Sequence, residues 1–195
     1  MKRILMALAV AACTAFATPC YGGNNIVKGD PNALDSLSYC VGVGVGVTLK
    51  SDKTIAILDF NMVEFCNGFT DHLLGNMTIS YNDAADKLML FVSKTAPERL
   101  VAFGATRAEN PNAVFNPFVS DTERNEISYA FGFFMAEEVE KPLSEIPFPI
   151  HCYWLSRAIQ DVYANSLIMT EAQIMEFLGR AEIRLQQINN KTKNK

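Results

Sequence analysis

Apolar residues recur at helical spacing in several separated stretches of the chain. Met62, Phe65, Phe69 and Leu73 step by three and four, so they share one face, and a helix is predicted from about Phe60 to Leu74. Asp59 stands where it can cap the start of that helix, and Gly75 where it can take the left-handed position after its end. Cys152, Leu155, Ile159 and Tyr163 form a matching stripe, preceded by Pro149, and proline is tolerated at a helix start. A further helix is predicted from Ser80. Thr170-Glu171-Ala172-Gln173 has the form of a capping box and opens another. In that last helix Ile174, Leu178, Ala181, Leu185 and Ile188 step alternately by four and three, a short heptad-like seam. The seam suits an amphipathic helix on its own core and equally a helix that pairs with a second chain. One stretch points the other way. Val41 to Val47 alternates valine and glycine with period two, a strand signal, and each glycine lowers helix propensity by about 1 kcal/mol.

Comparison of the chain with itself resolves that conflict. Leu37-Ser38-Tyr39-Cys40-Val41-Gly42-Val43 aligns with Ile127-Ser128-Tyr129-Ala130-Phe131-Gly132-Phe133, at an offset of 90. At the same offset Gly68-Phe69-Thr70-Asp71 meets Ala158-Ile159-Gln160-Asp161, and Met77-Thr78-Ile79-Ser80 meets Leu167-Ile168-Met169-Thr170. Leu88 meets Leu178. The second copy has no alternation from Ala130 to Glu140 and carries the good helix formers Met135, Ala136, Glu137 and Glu138, so both copies are predicted to start with a helix. Gly42 and Gly46 then lie on one face, where another backbone can come close. The predicted fold is all-α: two tandem three-helix repeats, residues 35–93 and 125–188, packed as a pseudo-dimer. Residues 94–124 form a linker. Pro97 is expected to interrupt the third helix of the first copy, and Asn110-Pro111-Asn112 and Asn116-Pro117 mark turns. Phe103, Val114, Phe115 and Phe118 indicate that the linker packs against something.

Composition removes function classes without naming one. The chain has 195 residues, 49% hydrophobic and 19% charged, with a formal charge of −4. A disordered tail would be poorer in apolar residues, and a nucleic-acid binder would carry a Lys/Arg surplus. Met1-Lys2-Arg3 followed by the apolar run Ile4 to Ala12 has the layout of a secretory signal, and the run is too short to span a membrane. Cleavage after Ala15-Phe16-Ala17 would release a soluble protein. Alternatively, Val10-Ala11-Ala12-Cys13 resembles a bacterial lipobox, with Cys13 as the lipidated residue and a membrane as partner. Both routes imply export to the periplasm or cell envelope. A signal over residues 1–17 is followed by a loop, 18–34, and the chain ends in a basic tail, 189–195. Cys40, Cys66 and Cys152 sit among apolar residues and read as small buried hydrophobes; Cys20 completes the set, and no pair has CxxC spacing. His72 and His151 have no short-spaced companions for zinc and no nucleophile in a strained turn nearby. No catalytic residue, cofactor or metal is expected.

The repeated pattern is Ser-Tyr followed by Gly, then a capped helix with Gly-Phe-x-Asp ending in Gly, then Ser or Thr before a third helix. It resembles the N-terminal dimerisation domain of FKBP-type peptidyl-prolyl isomerases of the macrophage infectivity potentiator type. The first copy matches through Ser38, Tyr39, Gly42, Gly68, Phe69, Asp71 and Gly75. The second keeps Ser128, Tyr129, Gly132 and Asp161, with Ala158, Ile159 and Asn165 at the other positions. The resemblance implies an intertwined dimer module. It makes Tyr39, Gly42, Gly46, Gly68, Phe69, Asp71, Gly75, Tyr129, Gly132, Ile159 and Asp161 helix-packing or dimer-type interface residues. In that family a β-sheet catalytic domain follows, with a tryptophan in its pocket. The tryptophan here, Trp154, lies in a helix of the second repeat, and the linker is too short to hold such a domain. The resemblance therefore implies the partner-binding module without the isomerase. The expected function is a protein-binding module, chaperone-like or an assembly scaffold. Its partners would be unfolded clients or a separate FKBP-domain protein, and its self-association would be within the chain or as a homodimer. The alternative is a prolyl isomerase or its accessory subunit.

Overall fold

The computed structural model describes residues 25–52, 55, 58–76, 78–144, 146 and 148–193. The signal segment with Cys13, Cys20, Met77 and the last two residues of the basic tail lie outside them. The fold is mostly helical. The described residues divide into two compact units: 25–51 with 139–193, and 52–138. This division does not follow the two sequence repeats. Each unit combines helices from residues 35–93 with helices from residues 125–188.

In the first unit, helix α1 (Ser36–Ser51) forms in spite of its valine–glycine alternation. Asp35 caps it, accepting from the Leu37 and Ser38 amides at 3.0 and 3.3 Å. Its glycines Gly42, Gly44 and Gly46 are buried, so tertiary contact replaces the side chains they lack. Chain 25–27 includes strand β1 (Ile26–Val27), which pairs in parallel with β2 (Ile150–His151), Ile26 opposite Ile150. Asn25 ties the segment down by donating through Nδ2 to the carbonyls of Leu143, Ile146 and Phe148. Helix α6 (Cys152–Ala164) follows β2 and packs on α1. Asn165 ends α6 in the left-handed region, φ 55°. The last helix, α7 (Glu171–Lys193), opens on the predicted capping box: the Thr170 amide donates to Gln173 Oε1 at 2.8 Å and the Gln173 amide to Thr170 Oγ1 at 3.3 Å. Of its heptad-like seam, Ile174 and Leu178 are buried in this unit's core with Tyr39, Cys40, Val43, Trp154, Ala158 and Val162. The side chains of Leu185 and Ile188 lie outside the description. Trp154 donates to the carbonyls of Asp30 and Ala33 at 2.9 and 2.6 Å.

In the second unit, α2 runs Met62–Leu73 and its cap is Asn61, which accepts from the Val63 and Glu64 amides. Asp59 does not cap it. Asp59 is left-handed, φ 46°, and its carboxylate takes Arg124 Nη2 at 2.9 Å. Gly75 follows the helix with φ 73°, as predicted. Ser80 caps α3 (Tyr81–Leu90). The α-helical run is interrupted just before Pro97. A π-turn, Phe91–Thr95, leads into α4 (Ala96–Glu109), so residues 94–109 of the expected linker are helical, and its end enters the helix that begins at Asp121. In the π-turn the Ala96 amide reaches back to Phe91 O, and Pro97, which has no N–H, falls in the first turn of the new α segment. Helix α5 (Asp121–Ser144) contributes its residues up to Glu138 to this unit. Its core includes Ala84, Ala130 and Phe133. Beside them is an aromatic set in which Phe60, Phe65 and Phe131 touch and Phe91 stacks on Phe118 at 5.0 Å. Among the described residues no helix is long and apolar enough to cross a membrane.

Arg99 of α4 grips Glu123 with two hydrogen bonds, 2.7 and 3.0 Å, and also donates to Pro117 O. The guanidinium holds the Glu123 carboxyl below the ordinary 4.5. A depressed folded-state value means stability that is full above pH 4.5 and lost as pH falls through the lowered value. Glu123→Gln is therefore expected to cost about 1 kcal/mol at pH 7, and the difference from the native chain to vanish in acid. Urea melts at pH 7 and pH 3 measure both.

Candidate functional site

The residues singled out by the repeat pattern gather in two places, one in each unit. In the first unit Tyr39, on α1, donates to Asp161 Oδ2 on α6 at 2.9 Å and accepts the Ile168 amide at 2.9 Å. Asp161 also accepts Arg157 Nε at 2.9 Å. In the second unit Tyr129, on α5, donates to Asp71 Oδ2 on α2 at 2.7 Å and meets the Thr78 hydroxyl. Sequence offsets link three members of the two sets: 39 to 129, 71 to 161, 78 to 168. The hydroxyl contact that Thr78 makes by its side chain is made at 168 by the backbone, which explains why isoleucine is tolerated there.

The glycines let helix backbones touch beside these anchors. A Cβ on Gly42 would lie 2.3 Å from Leu155 O, and one on Gly132 would lie 1.8 Å from Phe65 O. Positions 42 and 132 are again 90 apart, as are 65 and 155. Gly68 approaches Tyr129 O in the same way, and Gly46 faces Ile159 and Val162. Phe69 and Ile159 are fully buried. Gly75 makes no such approach; open space surrounds its missing Cβ, and its role is the positive φ.

The serine of the Ser-Tyr pair had no assigned role in the sequence pattern, yet it closes each junction. Ser38 Oγ accepts the His151 amide at 2.8 Å, and Ser128 Oγ accepts the Asn61 amide at 2.8 Å. Next to each serine bond a second polar pair recurs: Asn61 Nδ2 donates to Asn125 Oδ1 at 2.8 Å, and His151 Nδ1 lies 3.3 Å from Asp35 Oδ2. All these serine, asparagine, histidine and aspartate positions are related by the same offset. The recurrence of both serines was visible in the sequence; their acceptor role was not.

Nothing in the two anchors is activated for chemistry. Burial pushes the Tyr39 hydroxyl up to about 12, outweighing the Ile168 amide that favours its ionised form. Burial also pushes Cys40 and Cys152 up to about 12, so both stay thiols rather than nucleophilic thiolates. Both sulfurs are free.

The first unit also holds an open cavity of about 360 Å³. Its walls are Leu37 from α1, Phe148 and Pro149 from the segment before β2, and Phe177 and Ala181 from α7. The Asp35–His151 pair closes one end and Arg180 stands at the wall, turned to Glu176 at 2.8 Å. The cavity can take an apolar group; it offers no nucleophile and base together. Three separated segments build it, and no sequence pattern announced it.

No protein-family model, curated protein or solved structure matches this chain.

Two tests follow from the close contacts. Gly132→Ala is expected to destabilise the protein by about 3 kcal/mol, because backbone rather than a flexible side chain must move. Gly104→Ala, where nothing lies within 4 Å, should stabilise it by roughly 0.5–1 kcal/mol. Denaturant melts of the two variants give both signs. The raised Tyr39 value implies stability that is full below pH 10 and lost as pH rises toward 12. Tyr39→Phe should cost about 1–3 kcal/mol at neutral pH and remove that part of the alkaline loss, read from thermal melts between pH 8 and 11.

Proposed function

We propose that the chain is a non-catalytic protein-binding module in which two FKBP-type dimerisation repeats pair within one polypeptide. The pairing works by exchange. The first helix of each repeat docks on the second helix of the other, as two separate chains do in an intertwined dimer. The observation that carries this reading is the recurrence of one junction at a constant offset. Tyr39–Asp161 and Tyr129–Asp71 each join one repeat to the other, with Gly42 and Gly132 at the matching close contacts. Chance similarity of two helical stretches would not reproduce the same tyrosine, aspartate, serine and glycine bonds in crossed register.

A module that satisfies its own dimer contacts has its other surfaces left for partners. Exposed apolar side chains are present in both units: Leu34, Leu167 and Ile168 in one, Leu100, Val101 and Val119 in the other. Such residues, with the cavity, suit the holding of apolar segments of other proteins, either unfolded clients or one assembly partner. The export signal expected at the N-terminus puts this work in the cell envelope.

The test is suppression of aggregation of an unfolding model protein by the purified chain from Thr18 on, with light scattering on the same sample. Suppression near stoichiometric amounts by a monomer is the expected outcome. A stable dimer at low concentration would overturn pairing within the chain. Failure to suppress would remove the chaperone-like role and leave the search for a single envelope partner.

A further inference from the structure

The two units differ at one matched place, and the difference identifies an occupant for the cavity. Apply the offset of 90 to the cavity wall. Ala181 corresponds to Phe91, and Leu37 to Ile127. The Asp35–His151 pair corresponds to Asn125–Asn61, which is hydrogen-bonded in the same position. In the second unit Phe91 is 2% exposed; its ring stacks on Phe118 at 5.0 Å with the planes 5° apart. Phe118 in turn meets Phe60 at 6.1 Å. In the first unit the residue matching Phe118 is Lys28 and the residue matching Phe91 is an alanine. A phenyl ring has been replaced by a methyl group, and an open cavity of about 360 Å³ lies against that methyl.

We infer that this cavity is a binding site for an aromatic side chain of a partner polypeptide, which takes the place that the Phe91 ring fills in the other unit. The inference rests on the tandem-repeat, protein-binding reading above. Three observations select the aromatic ring over another apolar group. The matched position is filled by a ring. Phe148 and Phe177 line the cavity, Phe177 with the Arg180 guanidinium 5.9 Å from its ring centroid, so a ring entering it joins an aromatic wall, and aromatic pairs are favoured beyond simple contact. The charged groups of the wall have partners of their own: Asp35 accepts from the Leu37 and Ser38 amides and the Ser38 hydroxyl, and Arg180 pairs with Glu176, so the wall does not call for a charged ligand.

The experiment is a titration of the chain from Thr18 on, followed by the methyl signals of Leu37 and Ala181 in NMR spectra. The probes are a capped, uncharged tetrapeptide containing one phenylalanine and the same peptide with serine in that place. The phenylalanine peptide is expected to give saturable shifts at both methyls, and the serine peptide none. Ala181→Phe should plug the cavity, weaken binding about tenfold or more and raise the melting temperature. Ala181→Leu is a smaller plug that carries the same test if the larger one does not fold. Equal shifts from the two peptides, or unchanged binding in the plugged variant, would overturn the inference. Shifts on concentrating the protein alone would give the cavity to a second copy and also overturn it. The aggregation assay separates the two readings: suppression kept intact in a plugged variant that no longer takes the peptide leaves the module a holder of proteins by another surface. Peptide binding without suppression leaves the cavity and removes the chaperone-like role.

Discussion

Two helices can bring their backbones into contact only where no Cβ stands between them. At Gly42 and Gly132 a single methyl group would collide with a carbonyl oxygen of the facing helix, that of Leu155 or of Phe65. The rest of each unit is arranged around that approach. It brings α1 close enough to α6 for Tyr39 to reach Asp161, and α5 close enough to α2 for Tyr129 to reach Asp71. In the first unit the tyrosine then satisfies the buried Asp161 carboxylate, which would be costly alone, and in both units the carboxylate gives the hydroxyl its acceptor. Close packing and polar satisfaction are one constraint here, since moving the helices apart would break both together.

The same junction accepts different decoration in its two versions. Arg157 supports Asp161, whereas Asp71 sits beside Asn76, whose side-chain amide donates to it at 3.4 Å. Histidine and aspartate in one unit stand where two asparagines stand in the other. Position 165 is an asparagine and position 75 a glycine, and both are left-handed, the two residue types that accept that backbone most readily. What is held fixed is the hydroxyl, the carboxylate, the serine cap and the bare glycine. What varies lies around them, including the alanine at 181 where the other copy has Phe91.

Much of this was legible in the residues. The stripes of α2 and α6, the box at Thr170 and the helix start at Ser80 followed from local sequence alone, because local hydrogen bonds and one buried face decide them. The valine–glycine run was legible only through its matching stretch: Gly42 and Gly46 are buried against α6, so tertiary contact overrides a local preference for strand. Asp59 and the linker expected at 94–124 misled for local reasons of another kind. A left-handed turn moved the cap two residues on to Asn61, and a π-turn let the helix pass the proline. The crossed composition of the units and the cavity were beyond reach, since both depend on which distant segments meet.

The crossing also imposes an order on the chain as it is made. The anchor of the second unit closes over 58 residues, that of the first over 122. A chain that emerges from its N-terminus offers α1 first, with its bare glycine face and apolar neighbours, and α6 more than a hundred residues later. The second unit has all its parts by residue 138; the first has to wait with one wall in place and nothing to lay against it. Long-range closure of this kind is slow and leaves apolar surface uncovered meanwhile. The protein proposed to shelter the unfinished surfaces of others passes through the same exposed condition during its own synthesis.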